Sequence, residues 1–268
     1  MDFPMIEDIQ DALRQVEEHD NVRVLYAYES GSRAWGFESP DSDYDVRFIY
    51  VRPRDSYLSI ERSRDVIEAM LPNELDLSGW DLPKALGLLR KSNPPLLEWL
   101  ESSIVYAEKP EFLDGMRSLA DQCFRQDSCI AHFYSMAMNN WKAYLQNDKI
   151  PLKKYLYVLR PILAIRYLER FDKRVPMLFW DPESQRENLL DTVVDDAELR
   201  SQIEELLRLK MEAGEMGLGA PLPKVHEFIG RELDRRAAKV IEKRSLPIAA
   251  PLDEFFRTWL DDSLWHQS

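Results

Sequence analysis

Apolar residues at Ile6, Ile9, Leu13 and Val16 recur at helical spacing and predict a short amphipathic first helix. The period then changes. Val22-Arg23-Val24-Leu25-Tyr26-Ala27-Tyr28 is β-branched and aromatic and predicts a strand that stops at Glu29-Ser30-Gly31-Ser32. A loop punctuated by Gly36, Ser39 and Pro40 leads to a second strand over 44–51, closed by Pro53. Residues 64–70 and 74–78 read as an antiparallel hairpin joined across Leu71-Pro72-Asn73. Asp81 is placed as the N-cap of a helix through Leu82, Leu86 and Leu89, which Asn93-Pro94-Pro95 breaks. Ile104-Val105-Tyr106 predicts a last short strand. Beyond Pro110 the pattern is helical over 111–124, 127–146, 152–171, 195–215, 223–243 and 253–262, with an irregular connection over 174–191.

Composition narrows the class of protein. The chain of 268 residues is 45% hydrophobic and 31% charged, the balance of a soluble globular protein. The formal charge of -13 argues against a surface that coats nucleic acid or anionic membrane. The acidity is uneven: residues 142–174 hold nine Lys/Arg against three Asp/Glu, and residues 181–205 hold two against nine. One helical segment is therefore locally basic. The acidic N-terminal stretch lacks the basic start and apolar block of a secretory signal, and no run is apolar enough for a membrane span. Cys123 and Cys129 are the only cysteines, too few for a disulfide scaffold, and the expectation is a reduced, cytoplasmic protein with no membrane partner. The histidines, at 19, 132, 226 and 266, form no ligand pattern, and no nucleophile triad stands out.

The stretch that carries chemistry is Gly31-Ser32-Arg33-Ala34-Trp35-Gly36-Phe37-Glu38-Ser39-Pro40-Asp41-Ser42-Asp43-Tyr44-Asp45-Val46-Arg47. Asp43 and Asp45 sit two residues apart at the start of a strand, so their side chains share one face. Carboxylates that converge there repel unless a cation lies between them, and Mg²⁺ takes such oxygen ligands together with phosphate and water. Gly31 lets the backbone approach a ligand closely, and Ser32 adds an N–H and a hydroxyl for a phosphate. Arg33 reads either as a surface cation or as one reaching a triphosphate. Trp35 and Phe37 read as packing for the loop.

This signature resembles the Gly-Ser…Asp-x-Asp pattern of the DNA polymerase β nucleotidyltransferase superfamily, and more narrowly the bacterial predicted nucleotidyltransferases of the YcgL-like type. Glu74-Leu75-Asp76-Leu77-Ser78-Gly79-Trp80-Asp81-Leu82, Lys91-Ser92-Asn93-Pro94-Pro95-Leu96-Leu97-Glu98-Trp99-Leu100 and Lys153-Lys154-Tyr155-Leu156-Tyr157-Val158-Leu159-Arg160-Pro161 continue it in order. The resemblance implies a small mixed-sheet nucleotidyltransferase core. With the shift to helical pattern near residue 110, whose helices are also free to pack directly on the sheet, the expectation is an α+β protein with that core over 1–109 and a helical region over 110–268 closing a nucleotide cleft. The resemblance also implies three metal-binding acids: Asp43, Asp45 and a third on a neighbouring strand. Asp76 is the best match because it lies inside the strand, while Asp81, at the next helix start, competes.

The expected reaction moves a nucleoside monophosphate from an NTP such as ATP to a hydroxyl acceptor, with two Mg²⁺ or Mn²⁺ ions. The acceptor is open among a nucleic-acid end, a protein and a small molecule, and the oligomeric state is open too. Gly31, Ser32 and Arg33 are expected on one side of the phosphates. Lys153, Lys154, Tyr157 and Arg160, at helical spacing, are expected on the other, with a kink or break at Pro161. The rival readings are a non-catalytic nucleotide-binding or regulatory module and an RNA- or protein-binding protein on the same fold.

Overall fold

The computed structural model describes residues 3–71, 74–147, 149–183, 186–213, 217–237 and 245–260. The Pro72-Asn73 turn, His266, and the expected helix residues 214–215, 238–243 and 261–262 lie outside the described residues. The chain opens with α1 (Phe3–Asp20), β1 (Arg23–Glu29), the helical turn α2 (Gly31–Trp35), β2 (Tyr44–Val51) and α3 (Arg54–Tyr57). It continues through β3 (Val66–Leu71), β4 (Leu75–Asp81), α4 (Leu82–Arg90), α5 (Pro94–Trp99) and β5 (Val105–Glu108). The helices α6 (Pro110–Cys123) and α7 (Gln126–Tyr144) follow, then β6 (Ile150–Pro151), α8 (Lys153–Phe171), α9 (Leu189–Val193) and α10 (Ala197–Ala213). The last elements are β7 (Leu218–Gly219), α11 (Pro223–Ala237) and α12 (Ala250–Thr258). The fold is mixed α+β, and among the described residues no helix is long and apolar enough to cross a membrane.

Two compact units divide these elements, and both are built from separate stretches of chain. The first takes Met1–Gly31, Asp43–Phe124 and Leu246–Ser268; the second takes Ser32–Ser42 and Arg125–Ser245. Packing thus crosses the 109/110 position in both directions. α6 and α12 group with the sheet, and the loop after Gly31 groups with the helices.

The first unit is a five-stranded sheet in the order β3-β4-β2-β1-β5. β2 and β4 run parallel, and the other neighbours are antiparallel. Side chains alternate between the faces of a strand. Val46, Phe48 and Tyr50 of β2, with Leu75 and Leu77 of β4, therefore enter one core beneath Ile9, Leu13 and Val16 of α1. Asp45 and Arg47 of β2, and Asp76 and Trp80 of β4, take the opposite face. There Trp80 stacks on Trp99 of α5 with 3.8 Å between ring centroids. α12 closes this unit late in the chain: Phe255 and Trp259 pack on Phe112 of α6, and Phe256 meets Tyr57 edge-on.

The second unit packs α7 and α8 together with α9, α10 and α11, and pairs β6 with β7. α8 runs unbroken through Pro161, where a kink or break is expected from the sequence. The Tyr157 carbonyl, which loses its helical donor to the proline ring, accepts instead from Asn140 Nδ2 at 3.5 Å. Both cysteines are buried and neither is in a disulfide. His226 packs on Trp141 and meets the Tyr155 hydroxyl at 3.2 Å, a structural histidine.

Other differences from the sequence pattern have local causes. A short helix, α2, stands where a loop is expected, and α9 begins within the last three residues of the 174–191 connection. Asn93-Pro94-Pro95 starts a helix rather than only ending one. Asn93 Oδ1 accepts from the Leu96 N–H at 3.2 Å, and a proline is well tolerated in a first turn. β4 extends past Ser78 to Asp81 because it pairs with β2 and β3 along that length. Asp81 occupies the N-cap position of α4, yet its side chain makes no capping bond. It turns instead toward the core face, where Oδ1 accepts from the Tyr57 hydroxyl at 2.6 Å and Oδ2 lies 3.8 Å from Arg52 Nε.

Burial pushes the Asp81 carboxyl up from its ordinary 3.8 to about 6, against the opposing pull of Tyr57 and Arg52; Tyr50 and Asp65 are the other groups facing it. The folded protein therefore keeps this proton in a window where the unfolded chain has released it. The associated stability is fully present below about pH 4 and lost as pH rises through about 6. Asp81→Asn keeps an oxygen for Tyr57 and removes the charge. The melting temperature of the variant relative to wild type should rise between pH 4 and pH 7. The gain in stability should be about 1.4 kcal/mol for each tenfold difference in acidity between the folded and unfolded carboxyl. A difference that stays flat across that window would contradict a buried, titrating Asp81.

Candidate active site

The register of two parallel strands builds the site. Asp45 of β2 lies directly opposite Asp76 of β4. Both side chains reach the same atom: Arg47 Nη2 is 2.8 Å from Asp45 Oδ1 and 2.8 Å from Asp76 Oδ2. Arg47 follows Asp45 by two residues on β2 and so shares its face. Its Nη1 also donates to the carbonyls of Asp76, at 3.1 Å, and Val46, at 3.3 Å. The structure therefore places a cation between the two acids, and that cation is a guanidinium.

The backbone of Asp45 is held at both of its polar groups. Its N–H donates to Glu29 Oε1 at 2.9 Å, and its carbonyl accepts from the Ser30 N–H at 2.8 Å. Glu29 is fully buried, and its Oε2 accepts from the Tyr106 hydroxyl at 2.5 Å. Gly31 follows with φ of +62°, where a side chain would be strained, and a Cβ there would collide with Asp45 Oδ2. The glycine is required by the carboxylate beside it.

Asp45 and Asp76 stand together, while Asp81 points to the other face of the sheet. Asp43 is exposed at the entrance of β2. Among the described residues no three His, Cys, Asp or Glu side chains are grouped so as to hold a metal ion. The pair still suits one by its chemistry. Two hard, anionic oxygens converge on a single point, and a guanidinium nitrogen already stands there as a monovalent substitute. Arg47 and Glu29 are site residues that the sequence pattern does not single out. The signal for Arg47 is its place two residues after Asp45. The signal for Glu29 is a charge that closes the apolar and aromatic run Val24–Tyr28.

Ser32, Arg33, Lys153, Lys154, Tyr157 and Arg160 belong to the second unit. Arg33 Nη2 donates to the Ser42 carbonyl at 2.7 Å and closes the 32–42 loop on itself. Arg160 is only 5% exposed. Its guanidinium lies 4.3 Å from the Trp35 ring, and its Nη2 reaches the Met177 carbonyl at 3.4 Å. Phe37 meets Phe179 edge-on, and the Phe179 N–H donates to the Trp35 carbonyl at 2.9 Å. Trp35 and Phe37 are thus the packing residues of this loop. Lys154 Nζ sits over the rings of Tyr144 and Tyr157, at 4.4 and 4.6 Å.

A Gly-Ser turn after one strand, acids heading the next and a partner acid on the parallel neighbour are the features by which the chain resembles the DNA polymerase β nucleotidyltransferases. The chain belongs to the RlaP family, described as an RNA repair pathway DNA polymerase beta family, whose profile matches residues 5–258. The uncharacterized protein YcgL of Bacillus subtilis (strain 168) is 42% identical over 260 residues, covering 96% of this chain and 97% of that one. Among solved structures, a nucleotidyltransferase-like protein from Exiguobacterium sibiricum 255-15 aligns at 10% identity. That alignment covers 96% of this chain and 78% of the other with a TM-score of 0.30, a likeness too slight to argue from.

Two stability measurements check this geometry. Glu29→Ala strands the buried Tyr106 hydroxyl and should lower unfolding stability by about 1–3 kcal/mol for that group alone. Glu29→Gln, which keeps one acceptor, should recover much of the loss; equal stability of the two variants would contradict the buried bonding. Gly31→Ala should cost more than the roughly 1–2 kcal/mol of a left-handed residue, and the excess should shrink in an Asp45→Ala background. An excess unchanged in that background would mean the carboxylate is not what Gly31 accommodates.

Proposed function

We propose that the chain is a metal-dependent nucleotidyltransferase that moves a nucleoside monophosphate from an NTP to a hydroxyl at an RNA end, releasing pyrophosphate. The observation that carries this reading is the in-register pair Asp45 and Asp76, converging on one cation beside the Gly31 turn. The RNA acceptor rests on the family's description as an RNA repair pathway group. Protein and small-molecule hydroxyls are the acceptors it competes with.

In the proposed reaction the acceptor oxygen bonds to the α-phosphorus of the NTP. The bond from that phosphorus to the bridging oxygen breaks, pyrophosphate departs, and the hydroxyl proton passes to solvent. A divalent ion, Mg²⁺ or Mn²⁺, held by Asp45 and Asp76 with Asp43 at the strand entrance, would polarise the phosphates and lower the pKa of the acceptor hydroxyl. Glu29 and the Ser30 N–H keep Asp45 in place through its backbone. We assign the triphosphate to Gly31 and Ser32, with Arg33, Lys153 and Lys154 as charge-assisted donors. Tyr157 supports Lys154 by its ring, and Arg160 acts as a positioning residue by fixing Trp35.

A non-catalytic nucleotide-binding module is the second reading, and the Arg47 guanidinium between the acids is the observation that favours it. The test is incubation of each α-labelled NTP with RNA bearing a free terminal hydroxyl, and with protein and small-molecule acceptors, in Mg²⁺ or Mn²⁺. Labelled RNA and pyrophosphate are the expected products. Asp45→Asn and Asp76→Asn should each reduce transfer by roughly a hundredfold or more, while Asp81→Asn, on the other face, should retain it. NTP binding with no pyrophosphate released in the presence of any acceptor would establish the second reading instead.

A further inference from the structure

The Asp45–Arg47–Asp76 cluster has a consequence beyond the presence of a metal seat. Arg47 is not a loosely placed surface cation. Its guanidinium is fixed by two carboxylates and two backbone carbonyls, and its side chain is 19% exposed. Nη2 stands at the point where the two carboxylate oxygens converge, each 2.8 Å away. A divalent ion bound to the same two oxygens would have to occupy nearly that position, and a guanidinium and a divalent cation cannot share it without strong repulsion. Binding of the metal therefore requires Arg47 to leave.

Leaving has a cost that the acids alone do not repay, because the two carbonyls would lose their donor as well. A polyphosphate does repay it. Its oxygens match the planar fork of an arginine, and charge-assisted phosphate contacts are among the strongest this side chain makes. Arg47 also lies on the same sheet face as Asp45 and Asp76, the face on which the metal and phosphates are placed above.

We propose that Arg47 is a resident cation that holds the metal seat closed until an NTP arrives, and that it then transfers from the two carboxylates to the phosphates. Metal and nucleotide binding are in this way coupled: the nucleotide-free protein has low divalent affinity, and a triphosphate raises it. The device also neutralises the acid pair in the absence of ligand. This inference rests on the metal-dependent reading of the site.

The test is Mn²⁺ titration of the full chain followed by the electron paramagnetic resonance signal of free Mn²⁺, with and without a non-hydrolysable NTP analogue. Wild type should bind Mn²⁺ weakly alone and at least tenfold more tightly with the analogue. Arg47→Met, of similar length and without charge, should bind Mn²⁺ at least tenfold more tightly than wild type in the absence of nucleotide, and should bind the analogue more weakly. Arg47→Lys, which keeps a charge in the seat, should stay close to wild type in nucleotide-free Mn²⁺ affinity and serves if Arg47→Met does not fold. Asp45→Asn should abolish binding in every background.

Equal nucleotide-free Mn²⁺ affinity in wild type and Arg47→Met, lost in Asp45→Asn, would overturn the proposal while leaving the metal site intact. Nucleotide-free Arg47→Lys binding Mn²⁺ as tightly as analogue-bound wild type would overturn it in the same way. No Mn²⁺ binding by wild type with the analogue, nor by Arg47→Met, would instead overturn the metal-dependent reading and this proposal with it.

Discussion

Two carboxylates fixed in register on neighbouring parallel strands form the constraint to which the rest of the site responds. Like charges brought close together repel, by about 4 kcal/mol at 4 Å and the effective dielectric of a protein surface, and a cation where the side chains meet relieves that repulsion. Arg47 supplies it from the same strand. The neighbouring features fit this arrangement. Glu29, beneath the strand end, grips the Asp45 N–H, and Gly31 gives up its side chain to make room for the Asp45 carboxylate. A site of this kind is built mainly by backbone register, and its side chains have little freedom to wander.

Much of that register is legible in the amino-acid pattern. The alternation over 44–51 marks β2 at its observed ends, and it puts Asp45 and Arg47 on one face. Asp76 is separable from Asp81 by its position within a strand, and the burial alternation along β4 shows why they diverge: five residues apart on a strand means opposite faces. What is not legible depends on partners distant in sequence. Nothing local indicates that Asp81 will turn from its cap position to Tyr57, because that hydroxyl arrives from a separate helix 24 residues earlier. Glu29 is satisfied by Tyr106, 77 residues away, and a charged residue ending a strand reads equally well as the edge of a loop. The helical turns α2, α5 and α9 are too short to show a hydrophobic period at all.

The basic helix shows how one sequence pattern can contain unlike residues. Lys153, Lys154, Tyr157 and Arg160 share helical spacing, but burial separates them. Tyr157 is exposed and lies beneath Lys154, whereas Arg160 is enclosed and stacked on Trp35. An arginine can serve in such a place because its flat, weakly hydrated guanidinium stacks on an indole more readily than an ammonium does. Arg160 and Phe179 together hold the 32–42 loop from within the second unit. The loop that begins at the Gly-Ser turn is consequently a packed element, with its aromatic residues turned inward.

The discontinuity of the first unit bears on how the molecule is made. Its sheet is complete once β5 has been synthesised, but Phe112 on α6 and Tyr57 on α3 acquire Phe255, Phe256 and Trp259 only from α12. Domains emerging from a ribosome usually fold in the order they are translated. Here the unit that is begun first is finished last, since the chain must pass through the whole helical unit before the residues that cover α6 exist. During that interval an aromatic surface beside the sheet stands open to other nascent chains, and a fragment ending after α6 would carry that exposure permanently.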